Sequence, residues 1–293
     1  MTKNWSRRGL LKIAAGFPMA TLGLKPLTDK WRSFGEESRP NEKQGGEKEA
    51  GMVSDAFPSH PRELVREVVT VAHFDLKRVK ELVEERPSLA RAAWDWGFGD
   101  WEDALGAASH MGNRPMAEYL ISKGARPTIF SAAMLGQLEI VKGFVAARPG
   151  TEAIRGPHSI SLLAHARVGG EAASPVFEFL QSLPDSDPEA PAALPENETS
   201  TLAGTYVFGV GISQQVIVDA DLRMYAGSKM YTHAPQLNWT RKGTMPRPLF
   251  HLGGHEFYPA GAPAARIRFS QDANGMLMTV TDGALAVTAR RKA

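Results

Sequence analysis

Apolar residues recur at three-and-four intervals from Pro61 onward. Leu64, Val65, Val68, Val69 and Ala72 share one helix face, and Leu76, Val79, Leu82 and Val83 share another after the break His73-Phe74-Asp75. Pro87 cannot continue a helix interior, so the pair closes there as a helix-turn-helix hairpin. The pattern repeats over 105–120 and 129–145. Aligned on the turn, Phe74, Gly112 and Gly136 are equivalent. Val79, Ala117 and Val141 follow five residues on, and Leu82, Leu120 and Phe144 eight residues on, as core positions of the second helix. A fourth copy over 162–180 turns at Gly169-Gly170 and needs about three extra residues before Phe177 and Leu180 come into register, as a capping repeat would.

After a Pro-, Asp-, Glu- and Ala-rich stretch the period drops to two. Short alternating segments at 205–208, 215–219, 222–226, 265–270, 276–281 and 284–289 predict a strand meander. Asp272-Ala273-Asn274-Gly275 and Asp282-Gly283 are hairpin turns, with Asp219-Ala220-Asp221 a weaker third. Ile267 and Phe269 alternate with Arg266 and Arg268, so one face is apolar and the other solvated, as in a barrel wall of seven or eight short strands. The predicted fold class is α and β in separate domains: an α-solenoid of about four degenerate repeats over 61–183, a linker over 184–201, and a small antiparallel β-barrel over 202–293.

The N-terminus is an address rather than part of either core. Residues 1–30 carry Ser6-Arg7-Arg8-Gly9-Leu10-Leu11-Lys12 ahead of a weakly apolar run, and 31–60 has a tether's composition. The formal charge of +2 belongs largely to this segment. Six of the chain's 34 basic residues and one of its 32 acidic residues lie in the first thirty positions, leaving 28 against 31 in the body. That balance lacks the basic footprint of nucleic-acid binding. The absence of cysteine removes disulfides, thiolate metal sites and thiol nucleophiles together.

Three resemblances follow from these residues. Ser6 to Lys12 resembles a twin-arginine export signal, with Leu10 where Phe is usual, and Arg7 and Arg8 would be the recognised pair. The resemblance implies export to the periplasm or envelope of a bacterium, with membrane contact only through this segment if it is not cleaved. Ala107-Ala108-Ser109-His110-Met111-Gly112, Ser131-Ala132-Ala133-Met134-Leu135-Gly136 and Ser122-Lys123-Gly124-Ala125-Arg126-Pro127 resemble ankyrin repeats. Their threonine-proline-leucine-histidine signature is reduced to its apolar third position, at Leu105 and Ile129. Leu202-Ala203-Gly204-Thr205-Tyr206, Phe250-His251-Leu252-Gly253, Phe257 and Arg266-Ile267-Arg268-Phe269 resemble the small lipocalin-like barrel appended to many bacterial serine hydrolases, which implies an accessory module.

The turns at Phe74, Gly112, Gly136 and Gly169 are 38, 24 and 33 residues apart, against an ankyrin period of about 33, so the extra residues fall in a finger over 91–103. It holds Trp94, Asp95, Trp96, Phe98, Asp100, Trp101 and Glu102, including three of the six tryptophans. Two roles fit. Aromatics beside carboxylates anchor a peptide or a cationic ligand; equally, the rings plug the gap between hairpins while Gly97 and Gly99 turn the chain. His110 adds a base nearby.

For chemistry, His251-Leu252-Gly253-Gly254-His255-Glu256 offers two imidazoles and a carboxylate, but Gly253-Gly254 marks a strand turn rather than a helix face, so no metal or cofactor is assigned. His110, His158 and His165 are expected to donate to loop carbonyls. Ser109 and His110 with Asp95, Asp100 or Asp103 could imitate a triad, which only geometry can establish. The expected function is an exported binding protein that takes a protein or peptide on the repeat array, with no assigned catalytic residue. One alternative is an enzyme using acids Asp95, Asp100 and Glu102 with His110 as base. The other is a carrier of a small apolar ligand in the barrel.

Overall fold

A computed structural model describes residues 55–184, 194–208, 215–220, 237–241 and 246–292, with 186, 192 and 244 between them. The signal segment with Arg7 and Arg8, most of the tether and the alternating stretch 222–226 lie outside the described residues.

The helices come in pairs: α1 (Arg62–Val71) with α2 (Leu76–Glu85), α3 (Ala104–His110) with α4 (Arg114–Ser122), α5 (Ile129–Met134) with α6 (Leu138–Ala147), and α7 (Leu162–Val168) with α8 (Ser174–Gln181). Each start has a chemical cause. Asp75, Asp103, Asn113 and Ser161 accept a hydrogen bond from the exposed N–H of the first turn, and Thr128 forms a reciprocal capping box with Ser131. The first helices α1, α3, α5 and α7 stack side by side. Their turns pack so closely that a Cβ on Gly136, itself at φ +74°, would meet the Ala172 carbonyl oxygen at 2.0 Å.

Val79, Ala117, Val141, Leu120 and Leu180 are fully buried where the repeat alignment puts them, and Leu82 nearly so. Phe144 departs from it. It is 50% exposed, because α6 presents Ile140 and Phe144 outward while Val141 alone is buried on that helix. Among the described residues no helix is long and apolar enough to cross a membrane.

Helix α9 (Glu196–Leu202) occupies part of the expected linker and leads into eight strands. They are β3 (Gly204–Phe208), β4 (Gln215–Asp219), β5 (Leu237–Arg241), β6 (Arg247–Gly253), β7 (Glu256–Pro259), β8 (Arg266–Asp272), β9 (Gly275–Asp282) and β10 (Leu285–Arg291). Every neighbour pairs antiparallel, and β10 closes on β3 to complete a barrel. Both strong hairpin turns join strands as predicted, Asp272 facing Gly275 and Leu285 facing Asp282. Ile267 and Phe269 point inward and Arg268 outward. Among the described residues the inward side chains, Tyr206, Phe257, Phe269 and Met278 among them, form one buried cluster that Leu202 joins, its carbonyl accepting the Tyr206 hydroxyl at 2.8 Å.

The finger is a small hairpin of β1 (Ala93–Asp95) and β2 (Trp101–Asp103). Gly97, Phe98 and Gly99 all take positive φ at its tip, so both glycines turn the chain as expected. The tip points into the barrel, where Phe98 packs against the barrel core and lies 5.9 Å from the Trp239 ring.

Candidate metal centre

Four ligand-type side chains converge where the finger crosses the stacked hairpins: His73, Glu102, His110 and His158, with one donor atom from each lying within 4.8 Å of the others. Local structure aims each one. His73 sits in the turn after α1, and its Nδ1 lies 3.0 Å from the carbonyl oxygens of both Val69 and Thr70. A carbonyl can only accept, so Nδ1 carries the hydrogen and Nε2 faces the cluster with its lone pair. His110 ends α3 and places Nε2 2.8 Å from Glu102 Oε1. Glu102 comes from β2, whose alternation turns Trp101 and Asp103 away from it. His158 lies in a tight turn over Pro157–Ser159, at φ +59°, with Nε2 3.3 Å from Glu102 Oε2.

An outer layer holds these groups. Asp100 accepts both the backbone N–H and the Nδ1–H of His158, each at 2.9 Å. The Trp96 indole donates to Glu102 Oε2 at 2.8 Å. Arg247 of β6 reaches from the barrel to Asp100 Oδ2 at 3.3 Å and donates to the carbonyls of Trp96 (2.8 Å) and Gly97 (3.2 Å). Behind His110 stands His165, ring centroids 6.4 Å apart, whose Nδ1 donates to the Ser161 carbonyl at 2.9 Å.

Charge follows from this arrangement. Burial works against the His158 cation, yet the carboxylates of Glu102 and Asp100 outweigh it and raise the group to about 10. Burial likewise works against ionised Glu102, but His158, His73 and His110 together hold its carboxyl well below the usual range. His73 is pushed down to about 4 and His165 to about 3, in both cases chiefly by burial. Without an ion, His158 is the imidazolium bridging two carboxylates, while His73 and His165 are neutral imidazoles with Nε2 lone pairs.

The residues fit a divalent transition ion. Imidazole and carboxylate are its nitrogen and oxygen ligands, and three histidines with one glutamate complete a four-coordinate shell. In a tetrahedral site with bonds of about 2.0 Å the ligand atoms lie about 3.3 Å apart. Glu102 Oε2 is 3.3 Å from His158 Nε2 and 3.5 Å from His73 Nε2. Two of the imidazoles also carry the outer partner that metal-binding histidines need on the other ring nitrogen, a backbone carbonyl for His73 and the Asp100 carboxylate for His158. His73, Glu102 and His110 are buried to 2% exposure or less, and only His158 keeps some contact with solvent.

Of the eight residues singled out by sequence, Glu102 and His110 enter the cluster, and Trp96 and Asp100 form its outer layer. Asp95 instead accepts the Gly97 N–H at 2.7 Å, and Trp94 packs on the array core with the Arg62 guanidinium 5.6 Å from its ring centroid. Phe98 belongs to the barrel junction, and Trp101 is the one large apolar side chain of the finger that is exposed, at 62%.

No triad forms around Ser109, whose hydroxyl donates back to Leu105 O at 2.6 Å, while Asp103 caps α3. His251, His255 and Glu256 do not converge either. His251 turns its ring nitrogens to the carbonyls of Ala192 and Gly254, His255 faces Glu198, and Glu256 pairs with Arg266 and Arg268. The expected carbonyl partner holds for His165 but not for His110, and His158 donates to carboxylates. His73 was missed altogether, because in sequence it reads only as the end of a helix.

No family model, no curated protein and no solved structure matches this chain.

Proposed function

We propose that this is a metal-binding protein in which His73, Glu102, His110 and His158 hold one divalent transition ion, zinc being the best match to a closed four-coordinate nitrogen and oxygen shell. The observation that carries this reading is the convergence of three imidazoles on one buried carboxylate, two of them oriented from behind by fixed acceptors. An enzyme's metal keeps an open position for substrate; here four protein donors fill the shell and three of them are inaccessible. The centre therefore ties the finger and the turn carrying His158 to the stacked hairpins, in a chain that has no disulfide to do so.

The test is direct. Strip the full chain with a chelator, add Zn2+ or Co2+, remove the excess and measure bound metal by mass spectrometry, with the Co2+ visible spectrum reporting geometry. One ion per chain is expected, with a tetrahedral Co2+ spectrum, and retention is lost in His110→Ala. A wild-type protein that retains no more metal than His110→Ala sinks the reading.

A second reading, an exported ankyrin-type binding protein, is supported by outward-facing Trp101, Ile140 and Phe144 on the helical part. It is compatible with a structural ion. Its export half is tested by fusing 1–60 to a reporter active only outside the cytoplasm and replacing Arg7 and Arg8 with Lys; unchanged export refutes it.

A further inference from the structure

The geometry points to a coupling between the barrel and the metal centre: docking of the barrel onto Asp100 sets His158 as a ligand, so loosening the barrel releases the ion and binding the ion tightens the barrel. This rests on the metal reading above and adds to it a means of control.

Asp100 is the joint. On one side it holds His158 through two hydrogen bonds of 2.9 Å. On the other it is gripped by the barrel: Arg247 reaches its Oδ2 at 3.3 Å, and Gly261, just beyond β7, lies so close that a Cβ there would meet the Asp100 Cγ at 2.0 Å. The Gly261 N–H also donates to Ser159 Oγ at 2.7 Å, so the barrel touches the residue next to His158 as well. Arg247 binds the finger's own backbone at Trp96 and Gly97, which sets where Asp100 stands.

Backbone strain is concentrated at the same junction. Among the described residues the non-glycine positions with positive φ are Phe98, His158 and Ser159, at 59°, 59° and 60°. Phe98 is the finger's insert into the barrel core; His158 and Ser159 are the pair held from Asp100 and Gly261. Conformations of this kind persist only where the surroundings over-determine them. With the barrel withdrawn, the turn carrying His158 loses Gly261, and Asp100 loses Arg247. His158 is then free to relax away from Glu102, which leaves three ligands. Linkage requires the converse by the same factor: an ion that needs His158 in place favours the docked barrel.

Two full-length variants probe the joint without touching a ligand. Arg247→Gln removes the grip on Asp100, and Gly261→Ala puts a methyl into it. Arg290→Gln, on the far surface pair with Asp272, is the control. Zn2+ affinity is read by competition with a chromogenic chelator. Hydrogen exchange of 96–100, 157–161 and 247–250 is read with and without Zn2+, and circular dichroism confirms folding.

Both variants should bind Zn2+ about 10- to 100-fold more weakly, as outer-layer changes at metal sites do. Arg290→Gln should bind as the wild type does, and Zn2+ should slow exchange of 247–250 in the wild type. Folded Arg247→Gln and Gly261→Ala with wild-type affinity would overturn the coupling while leaving the metal centre intact. Unchanged exchange of 247–250 on Zn2+ addition would overturn it too. A wild type that binds no Zn2+ overturns the site and the coupling together. If Gly261→Ala does not fold, Arg247→Gln decides alone.

Discussion

The indole Nε1–H of Trp96 donates to Glu102 Oε2 at 2.8 Å, so the finger's middle tryptophan is tied to the carboxylate at the centre of the cluster. Its neighbour on the same hairpin, Trp101, is 62% exposed. The two rings therefore answer differently to truncation. Trp96→Ala should cost about 3–5 kcal/mol, and Trp96→Phe, which keeps much of the ring and drops the donor, about 1.5–3 kcal/mol. Trp101→Ala should stay within about 0.5 kcal/mol. Urea denaturation of the three variants measures this, and equal losses at the two positions would contradict the placement.

Removing the Glu102 charge should leave the His158 cation with one carboxylate in place of two. In the metal-free protein Glu102→Gln is expected to destabilise by about 3–5 kcal/mol, the range for a buried charge that loses its partner. Combining it with His158→Gln should recover part of that loss. A double-mutant cycle between the two positions reports a coupling above about 1 kcal/mol if they interact as the 3.3 Å contact implies, and none if they do not.

The histidines also set how metal-free stability varies with pH. His158, raised from 6.5 to about 10, keeps its proton in the folded state where the unfolded chain has released it. Its contribution is full below 6.5 and is lost as pH rises toward about 10. His73 and His165, lowered to about 4 and about 3, stay neutral when folded while the unfolded chain takes up protons. Stability thus declines again as pH falls below 6.5. A maximum near pH 6.5 is expected in the urea midpoint, with His158→Gln flattening the alkaline limb. A wild-type midpoint that holds level from 6.5 to 10 would refute the assigned state of His158.

Two glycines separate conformational need from chance. Gly143 lies inside α6 with nothing near its Cβ position, so Gly143→Ala should stabilise by about 0.5–1 kcal/mol. Gly136→Ala meets both a positive φ and the Ala172 carbonyl, and should destabilise by more than that gain. Thermal unfolding of the pair would show opposite signs.

The helix pairs and strand hairpins were legible because their signals are local. A three-and-four apolar spacing, an Asp or Ser ahead of it, and Asp-Gly between alternating runs act over a few residues, and Val79, Ala117 and Ile267 are buried where that reading puts them. Phe144 is the exception. The repeat alignment marks it as core, but whether a face is covered depends on a neighbouring helix that periodicity cannot supply. The strands β5, β6 and β7 were not among the alternating segments read from the sequence; in β6 and β7, Pro248, Pro259 and the irregular pairing near His251 and Gly253 break strict alternation.

The materials of the centre are already present in the linear chain: a long finger rich in tryptophan and carboxylates, histidines near the turns, and no cysteine to compete as ligand. The tertiary structure decided which of them meet. His73, Glu102, His110 and His158 are drawn from four separate elements, and stacking the hairpins while folding the finger inward brings their ring nitrogens and carboxylate into one buried site. The same step separates Glu102 and Asp100, which turn inward, from Trp101, which faces water. Linear spacing records which way a side chain points along one element. The distance between elements is set by the packing of all of them, and ligand geometry depends on that distance.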